Sequence, residues 1–108
     1  MNNYDKYEVV WSEDAERALL KHKKYFNVKR AYQNSFSILS DSPHDQRDGI
    51  LNCGFEFDGY YWANINNAIM FYRVDDEMKK VFIEGCDSAV TGKALKNYYG
   101  EYDPWEED

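Results

Sequence analysis

Cysteine, proline and long apolar runs are all scarce in this sequence of 108 residues. The two cysteines, Cys53 and Cys86, lie 33 positions apart without CxxC spacing, and we interpret them as buried free thiols in a reducing cytosol, with one disulfide as the alternative. No apolar run approaches the roughly 20 residues of a membrane-spanning helix. The first five residues are polar and unlike a signal peptide. We therefore expect a cytoplasmic protein without a membrane segment.

The familiar catalytic and metal-binding motifs are also missing. There is no Ser-His-Asp pattern and no phosphate-binding glycine loop. Asp41, Asp45 and Asp48 lack the alternating spacing of an EF-hand. Neither His22 nor His44 has a histidine or cysteine three or four positions on, which is the spacing that suits zinc on a helix. We expect no metal and no cofactor, and we assign both histidines structural or surface roles.

What is present favours one folded domain. Hydrophobic residues make up 44% of the chain and aromatic residues 18%, which is enough for a packed core at this length. The sequence shows no repeat, linker or low-complexity tract. We predict a single domain over residues 1–100 followed by an acidic C-terminal tail, residues 101–108.

Charge is unevenly distributed along the chain, whose net charge is −7. Six bases and no acid occur from Arg17 to Arg30, whereas the acidic tail contains five acids. The basic run has two interpretations. It is a surface that binds an acidic partner, an antitoxin segment or nucleic acid, or it is a solvated helix face. The tail either docks into a basic groove, its own basic helix included, or is a solubilising end. The candidate partner-binding residues are Arg17, Lys21, Lys24, Lys29, Arg30, Tyr102, Trp105, Glu106 and Glu107.

The periodicity of the first half predicts a strand and two helices. Residues 4–11 alternate as in a strand, and Ser12 is placed to cap a helix that runs to Phe26. Asn27 breaks the pattern, and Val28–Leu39 carries the apolar stripe of an amphipathic helix. The two helices are expected to form a hairpin against a sheet.

The second half predicts a meander of four strands over residues 50–57, 60–65, 68–74 and 79–85. Asp58-Gly59, Asn66-Asn67 and Asp75-Asp76-Glu77 are interpreted as the turns between them, the first as a two-residue hairpin turn. Residues 88–99 predict a short C-terminal helix. The fold class is therefore α+β: an N-terminal strand joined through an α-hairpin to a mainly antiparallel four-strand meander, then a short helix.

This element order resembles the RelE/ParE superfamily of bacterial toxins, with the similarity covering about residues 5–87. The segment Tyr7–Ala15 resembles the family's first strand and the start of its first helix. The segment Ser40-Asp41-Ser42-Pro43 resembles the end of the family's helical hairpin. Phe71–Glu77, followed by Val81-Phe82-Ile83, resembles its last strand–turn–strand. The resemblance implies a RelE/ParE-like fold and an antitoxin partner.

In members of the family that cleave messenger RNA on the ribosome, strand arginines and lysines neutralise the scissile phosphate, where negative charge develops. With Tyr72 as an anchor, this sequence has no cation at those positions. The family's two strand arginines correspond to Ala63 or Asn64 and to Ile69 in this sequence. The family's terminal His-Arg phrase corresponds to Asp87-Ser88. The remaining catalytic candidates are Arg73, on the opposite face from Tyr72, and Lys93, Lys96 and Tyr98 on the predicted last helix.

Three functions follow as hypotheses. The first is a RelE/ParE-like toxin, or a protein derived from one, that acts by protein binding and pairs with an antitoxin. The second is an acidic inhibitor or immunity-type protein that blocks a basic, nucleic-acid-binding enzyme surface. The third is a ribosome-dependent mRNA endoribonuclease. We expect the protein to act by binding and not by catalysis. Because the chain is net negative, we expect no tight direct contact with nucleic acid. The expected partner is an antitoxin or a basic target protein, and a homodimer remains open.

Overall fold

A computed structural model describes residues 6–52 and 56–90 and confirms the α+β class. A five-stranded mixed sheet has the strand order β1-β5-β4-β3-β2, in which β1 and β5 are parallel and the other neighbours are antiparallel. The elements, in chain order, are β1 Glu8–Trp11, α1 Glu13–Leu20, α2 Val28–Leu39, β2 Gly49–Ile50, β3 Tyr61–Ile65, β4 Ala68–Asp75 and β5 Lys80–Ser88. The helical hairpin thus connects β1, at one edge of this sheet, to β2 at the other edge.

Side-chain caps start both helices where the sequence predicts. The Ser12 hydroxyl accepts a hydrogen bond from the Ala15 N–H at 3.0 Å, and the Asn27 side chain accepts one from the Arg30 N–H at 3.0 Å. Each cap satisfies a backbone donor that has no partner within the helix. The predicted bounds of α2 are confirmed.

The predicted end of the first helix is wrong. α1 ends at Leu20 instead of Phe26, and the chain continues in tight turns. Here the N–H groups of His22 and Tyr25 bond to carbonyls only three residues earlier, those of Leu19 and His22. This tightening reverses the chain early enough for the Phe26 ring to pack against the core.

The hairpin between β2 and β3 also differs from the prediction. β2 covers only Gly49–Ile50, and the ladder closes where the Leu51 N–H bonds to the Tyr60 carbonyl at 2.7 Å and the Gly59 N–H to the Leu51 carbonyl at 2.8 Å. Because Leu51 bonds to residues 59 and 60, Asp58-Gly59 is not the two-residue turn of this hairpin. Gly59 has φ of +89°, which explains the glycine.

The other two turns form as predicted. Asn66 and Asn67 both have positive φ, 54° and 72°, as in the two-residue turns that suit the twist of a hairpin. In the turn after β4, the Asp75 carboxylate accepts hydrogen bonds from the N–H groups of Glu77 and Met78. β5 continues to Ser88, past its predicted end at residue 85.

The sheet has a core on each face because β4 is apolar on both sides. The face under the helices holds the larger cluster, which includes Trp11, Leu39 and Tyr72. The open face holds a smaller cluster, Leu51, Ile69 and Phe71, with Phe57, Tyr60 and Trp62 packed against it. The predicted strand alternation is the reason the two clusters separate cleanly.

The exposed edge of the sheet is protected by a side chain. Among the described residues, β2 pairs with Tyr61 and Trp62 of β3, and no strand pairs with the rest of that side of β3. There the Asp48 carboxylate accepts a hydrogen bond from the Asn64 N–H at 2.8 Å. The backbone donor that another strand would need is therefore occupied by a charge.

Cys86 is a free, buried thiol, as predicted. Burial, with a smaller contribution from the Asp87 carboxylate, raises its pKa to about 12. Cys53 lies outside the described residues, as do the predicted helix from residue 91 onward and the acidic tail.

Candidate functional site

An apolar groove lies between the two helices of the hairpin. We call it the hairpin groove; its volume is about 290 Å³, and it is lined by Glu16, Leu19, Leu20, Val28, Lys29 and Tyr32. The side chain of Leu20 stands in it and is 58% exposed. An exposed apolar site of this kind is costly for an isolated protein and is typical of a surface that binds a partner.

The acid of the hairpin groove, Glu16, already has a hydrogen-bond partner within the groove. The Tyr32 hydroxyl donates a hydrogen bond to the Glu16 carboxylate at 3.2 Å. Burial, followed by this bond and the Glu16 charge, raises the pKa of Tyr32. Lys29 lines the opposite wall, and within residues 6–52 and 56–90 no carboxylate forms an ion pair with it. The groove therefore offers an apolar floor with a cation at its rim.

The predicted basic run does not form one surface. Arg17 is paired within its own helix, with Asp14 at 2.8 Å and Glu13 at 3.3 Å, and together with Lys21 it lines a separate depression beside Glu84 of β5. Lys24 lies in the exposed turn between the helices, with its ammonium 5.8 Å from the centre of the Tyr25 ring.

Helical periodicity explains this separation. Arg30 is two positions from Val28 and Tyr32 on α2, so it points away from the hairpin groove that those two residues line. Of the five predicted basic partner-binding residues, Lys29 and the exposed Lys24 are the ones placed to contact an occupant of the groove.

The positions where the family resemblance expects cations lie in one row across the open face of the sheet. Asn64 of β3 pairs with Ile69 of β4, and Ile69 pairs with Asp87 of β5. None of the three carries a positive charge. The row that would face a phosphate therefore has no group to neutralise it.

Arg73 lies on the same open face, and its charge is engaged there. Its Nε donates a hydrogen bond to Glu84 Oε2 at 3.2 Å, and its guanidinium lies 4.2 Å from the centre of the Phe82 ring. Tyr72 lies on the other face, fully buried, and its hydroxyl donates to the Pro43 carbonyl at 2.8 Å. Burial raises the pKa of Tyr72 well above its ordinary value, so this hydroxyl keeps its proton.

The structure also assembles a polar cluster that the sequence analysis missed. His44 Nε2 lies 2.8 Å from Asp76 Oδ1, and His44 Nδ1 lies 2.8 Å from the Tyr61 hydroxyl. The Tyr7 hydroxyl donates to the same Asp76 oxygen at 2.6 Å, and the Arg47 guanidinium lies 4.9 Å from the centre of the Tyr61 ring. The hydrogen bonds from Tyr7 and then from His44 lower the pKa of Asp76.

This cluster joins four segments and leaves the histidine no free nitrogen. An ionised Asp76 only accepts, so Nε2 carries a proton, and in the neutral ring Nδ1 accepts from Tyr61. With both ring nitrogens bonded, His44 is arranged to fix the loop after α2 against β3, β1 and the β4–β5 turn. His44 and Asp76 are 32 positions apart, and only the register of the sheet brings them together.

A second imidazole–carboxylate contact lies near the end of the described chain. His22 Nε2 is 3.6 Å from Asp87 Oδ1, and the ring stacks on Phe26 with centroids 6.2 Å apart. His22 Nδ1 is buried without a hydrogen-bond partner among the described residues. The contact fixes the turn between the helices beside the end of β5.

The remaining predicted site residues lie outside the described part of the chain: Lys93, Lys96, Tyr98, Tyr102, Trp105, Glu106 and Glu107. Among the residues that the structure describes, no cluster of three histidine, cysteine or acidic side chains is placed to hold a metal ion. The same residues include no helix that is both long and apolar enough to cross a bilayer.

Comparison with known proteins gives a fold. No model of a protein family matches the sequence, and no curated protein matches it. The structure is similar to a chain in the crystal structure of the toxin–antitoxin complex RelBE2 from Mycobacterium tuberculosis, with a TM-score of 0.61 and 25% sequence identity. The match covers 77% of this chain and 91% of the other. The protein therefore has the RelE-like toxin fold that its element order predicts.

Proposed function

We propose that this protein is a RelE-like toxin, or a protein derived from one, which acts in the cytoplasm by binding a protein target, and that an antitoxin binds it at the hairpin groove. The observation that carries the proposal is the combination of a RelE-like fold with a row of uncharged and acidic residues where a ribonuclease needs cations. The fold supports the toxin relationship, and the row supports binding over cleavage.

The hairpin groove supports the choice of antitoxin-binding surface. Its apolar floor suits the apolar stripe of an amphipathic helix, and Lys29 and Lys24 suit acidic residues flanking that stripe. The predicted antitoxin segment therefore carries apolar residues at i, i+3 or i+4 and acids beside them.

The primary test is tightly controlled induction of the gene in a bacterial culture. Growth arrest is expected, because a toxin acts on a cellular target, and co-expression with the product of a neighbouring gene should relieve it. Normal growth with abundant folded protein would contradict the toxin proposal.

A matched pair of variants tests the groove. Leu20 and Met78 are equally exposed at 58%, but Met78 lies in the β4–β5 turn. Leu20→Ser should weaken antitoxin binding by roughly tenfold, which corresponds to about 1.4 kcal/mol, whereas Met78→Ser should not. Equal effects of the two substitutions would place the antitoxin elsewhere.

The ribonuclease alternative makes a separate prediction. Purified protein added to translating ribosomes should leave the messenger RNA intact. Cleavage that is lost in Arg73→Ala would instead favour an enzyme that uses Arg73, with Lys93, Lys96 and Tyr98 as its further candidates. Such a result would overturn the binding proposal without affecting the fold.

A second candidate function, an acidic inhibitor of a basic enzyme, is supported by the acids of the open face. Glu84 and Asp87 lie on β5 of that face, and the sequence from residue 75 onward carries ten acids and four bases. Normal growth on induction, together with retention of the protein by an immobilised basic nuclease, would favour this candidate over the toxin.

A further inference from the structure

We propose that the acidic tail, residues 101–108, binds the hairpin groove of its own chain and so competes with the antitoxin for it. The competition rests on the function proposed above, whereas the docking itself does not. The tail sequence is Glu-Tyr-Asp-Pro-Trp-Glu-Glu-Asp, with two aromatic residues set among five acids. Its chemistry complements that of the groove.

The volume of the groove and its apolar lining residues suit the aromatic side chains of the tail. A volume of about 290 Å³ lies near the lower limit for a ligand pocket, of roughly 300 Å³, and suits a few side chains of a short segment. Leu19, Leu20 and Val28 form apolar walls for an aromatic ring. Tyr102 and Trp105 are three positions apart, at most about 10 Å along an extended chain. Aromatic anchors of this kind usually supply most of the energy of a small interface.

The charged part comes from lysines that have no acidic partner in the described structure. Lys29 lines the groove, and Lys23 and Lys24 are exposed in the turn at its end. None of the three forms an ion pair with a carboxylate in residues 6–52 and 56–90. The acids of the tail would supply these partners.

The position at which the described chain ends makes the contact reachable. Asp87 lies 3.6 Å from His22, so β5 finishes beside the turn that carries Lys23 and Lys24. Trp105 is fifteen positions after Val90, a length that spans up to about 50 Å when extended. The described chain therefore ends close to the hairpin, and the residues that follow are numerous enough for the tail to reach the groove.

The open face of the sheet is a poorer surface for the same tail. Glu84 and Asp87 lie there, and Arg73 is already paired with Glu84. The depression that Arg17 and Lys21 line also contains Asp14, Glu56 and Glu84. Like charges repel an acidic segment from both places, whereas the hairpin groove is lined by one acid, Glu16, together with Lys29 and apolar side chains.

Photocrosslinking of the full-length chain tests the docking without any antitoxin. Trp105 is replaced by p-benzoylphenylalanine, the purified protein is irradiated, and the crosslinked peptides are identified by mass spectrometry. Crosslinks to residues 16–32 of the same chain are expected, and they should decrease several-fold in about 1 M salt, where the screening length falls to roughly 3 Å. The same photoreactive residue at Met78 is the control and should give no crosslink to residues 16–32.

Each other outcome overturns the proposal. Mixing isotopically light and heavy protein distinguishes crosslinks within a chain from crosslinks between chains, and the latter would assign the groove to a second copy. Crosslinks only to other parts of the same chain, or none, would also contradict it. Lys29→Glu should reduce the expected crosslinks several-fold, whereas Lys79→Glu, in the distant β4–β5 turn, should not.

Failure of this proposal is distinguishable from failure of the proposed function. Growth arrest without crosslinks would leave the toxin function standing and remove the tail from its regulation. Crosslinks without growth arrest would retain the docking and remove the toxin. If both proposals hold, replacing all five acids of the tail by their amides should increase antitoxin affinity several-fold.

Discussion

The indole Nε1 of Trp11 donates a hydrogen bond to the Ser35 hydroxyl at 3.0 Å inside the core, joining β1 to α2. The same hydroxyl donates to the Tyr32 carbonyl at 2.6 Å, so the buried serine is satisfied in both directions. A polar residue on the buried stripe of a helix is therefore explained by a tryptophan 24 positions earlier.

Ser35→Ala should destabilise the protein by about 1–3 kcal/mol, because it leaves the buried Trp11 N–H without an acceptor. Ser37→Ala is the control, since Ser37 is exposed and bonds only to a carbonyl of its own helix. Urea unfolding followed by circular dichroism measures both. Equal midpoints for the two variants would contradict the importance of the Trp11–Ser35 bond.

The Asp76 cluster predicts a pH-dependent contribution to stability. Hydrogen bonds from Tyr7 and His44 lower the pKa of Asp76 in the folded protein, so its ionised form favours folding. That contribution is fully present above the ordinary value of 3.8 and is lost as pH falls through the lower folded pKa. The difference in unfolding free energy between wild type and Asp76→Asn should therefore decrease as the solution is acidified through this range.

The neighbouring exposed Glu77 provides the control for that series. Its side chain makes no hydrogen bond within the described residues, so Glu77→Gln should change stability little at any pH. An Asp76→Asn effect that persists unchanged at the acidic end would show that the carboxylate charge is not its source.

Cys86 should resist alkylation in the folded protein. Its thiol is buried and its pKa is about 12, so almost no thiolate is present near neutral pH. In a Cys53→Ser background, iodoacetamide should modify the native protein at least ~100-fold more slowly than the urea-unfolded protein, as judged by mass spectrometry. Similar rates in the two states would contradict the described packing of β5.

Asp48→Ala should increase self-association. The substitution frees the Asn64 N–H at the edge of the sheet, where an edge strand of another molecule can pair with it. Sedimentation at increasing protein concentration measures the effect, with Asp45→Ala as a control that removes a nearby exposed carboxylate. A purely monomeric Asp48→Ala protein would show that the edge is protected by other means.

Local signals in the sequence were sufficient where a single residue decides the geometry. Ser12 and Asn27 mark the helix starts, and Asn66-Asn67 marks a turn, because each acts on backbone groups within three residues. The end of α1 was missed because the apolar period continues to Phe26, whereas the helix ends at Leu20 and Phe26 packs against the core from outside it.

The candidate site was less predictable because it depends on orientation and register. The basic run is continuous in sequence, yet Arg17 and Arg30 point away from the groove that Lys29 lines. The contact between His44 and Asp76 has no local signal at all, since each residue looks like an ordinary loop position by itself. Pairing of the strands had to be known before the contact between His44 and Asp76 could be derived.

The parallel pairing of β1 with β5 has a consequence for synthesis of the protein. Glu8 is paired with Lys80, so the first strand of the chain has no permanent neighbour until the last strand exists. During translation the emerging hairpin and meander can form locally, but the sheet closes only after residue 88 has left the ribosome. A nascent chain therefore cannot present the finished surface before that point, and whatever activity the fold carries is withheld until β5 has emerged.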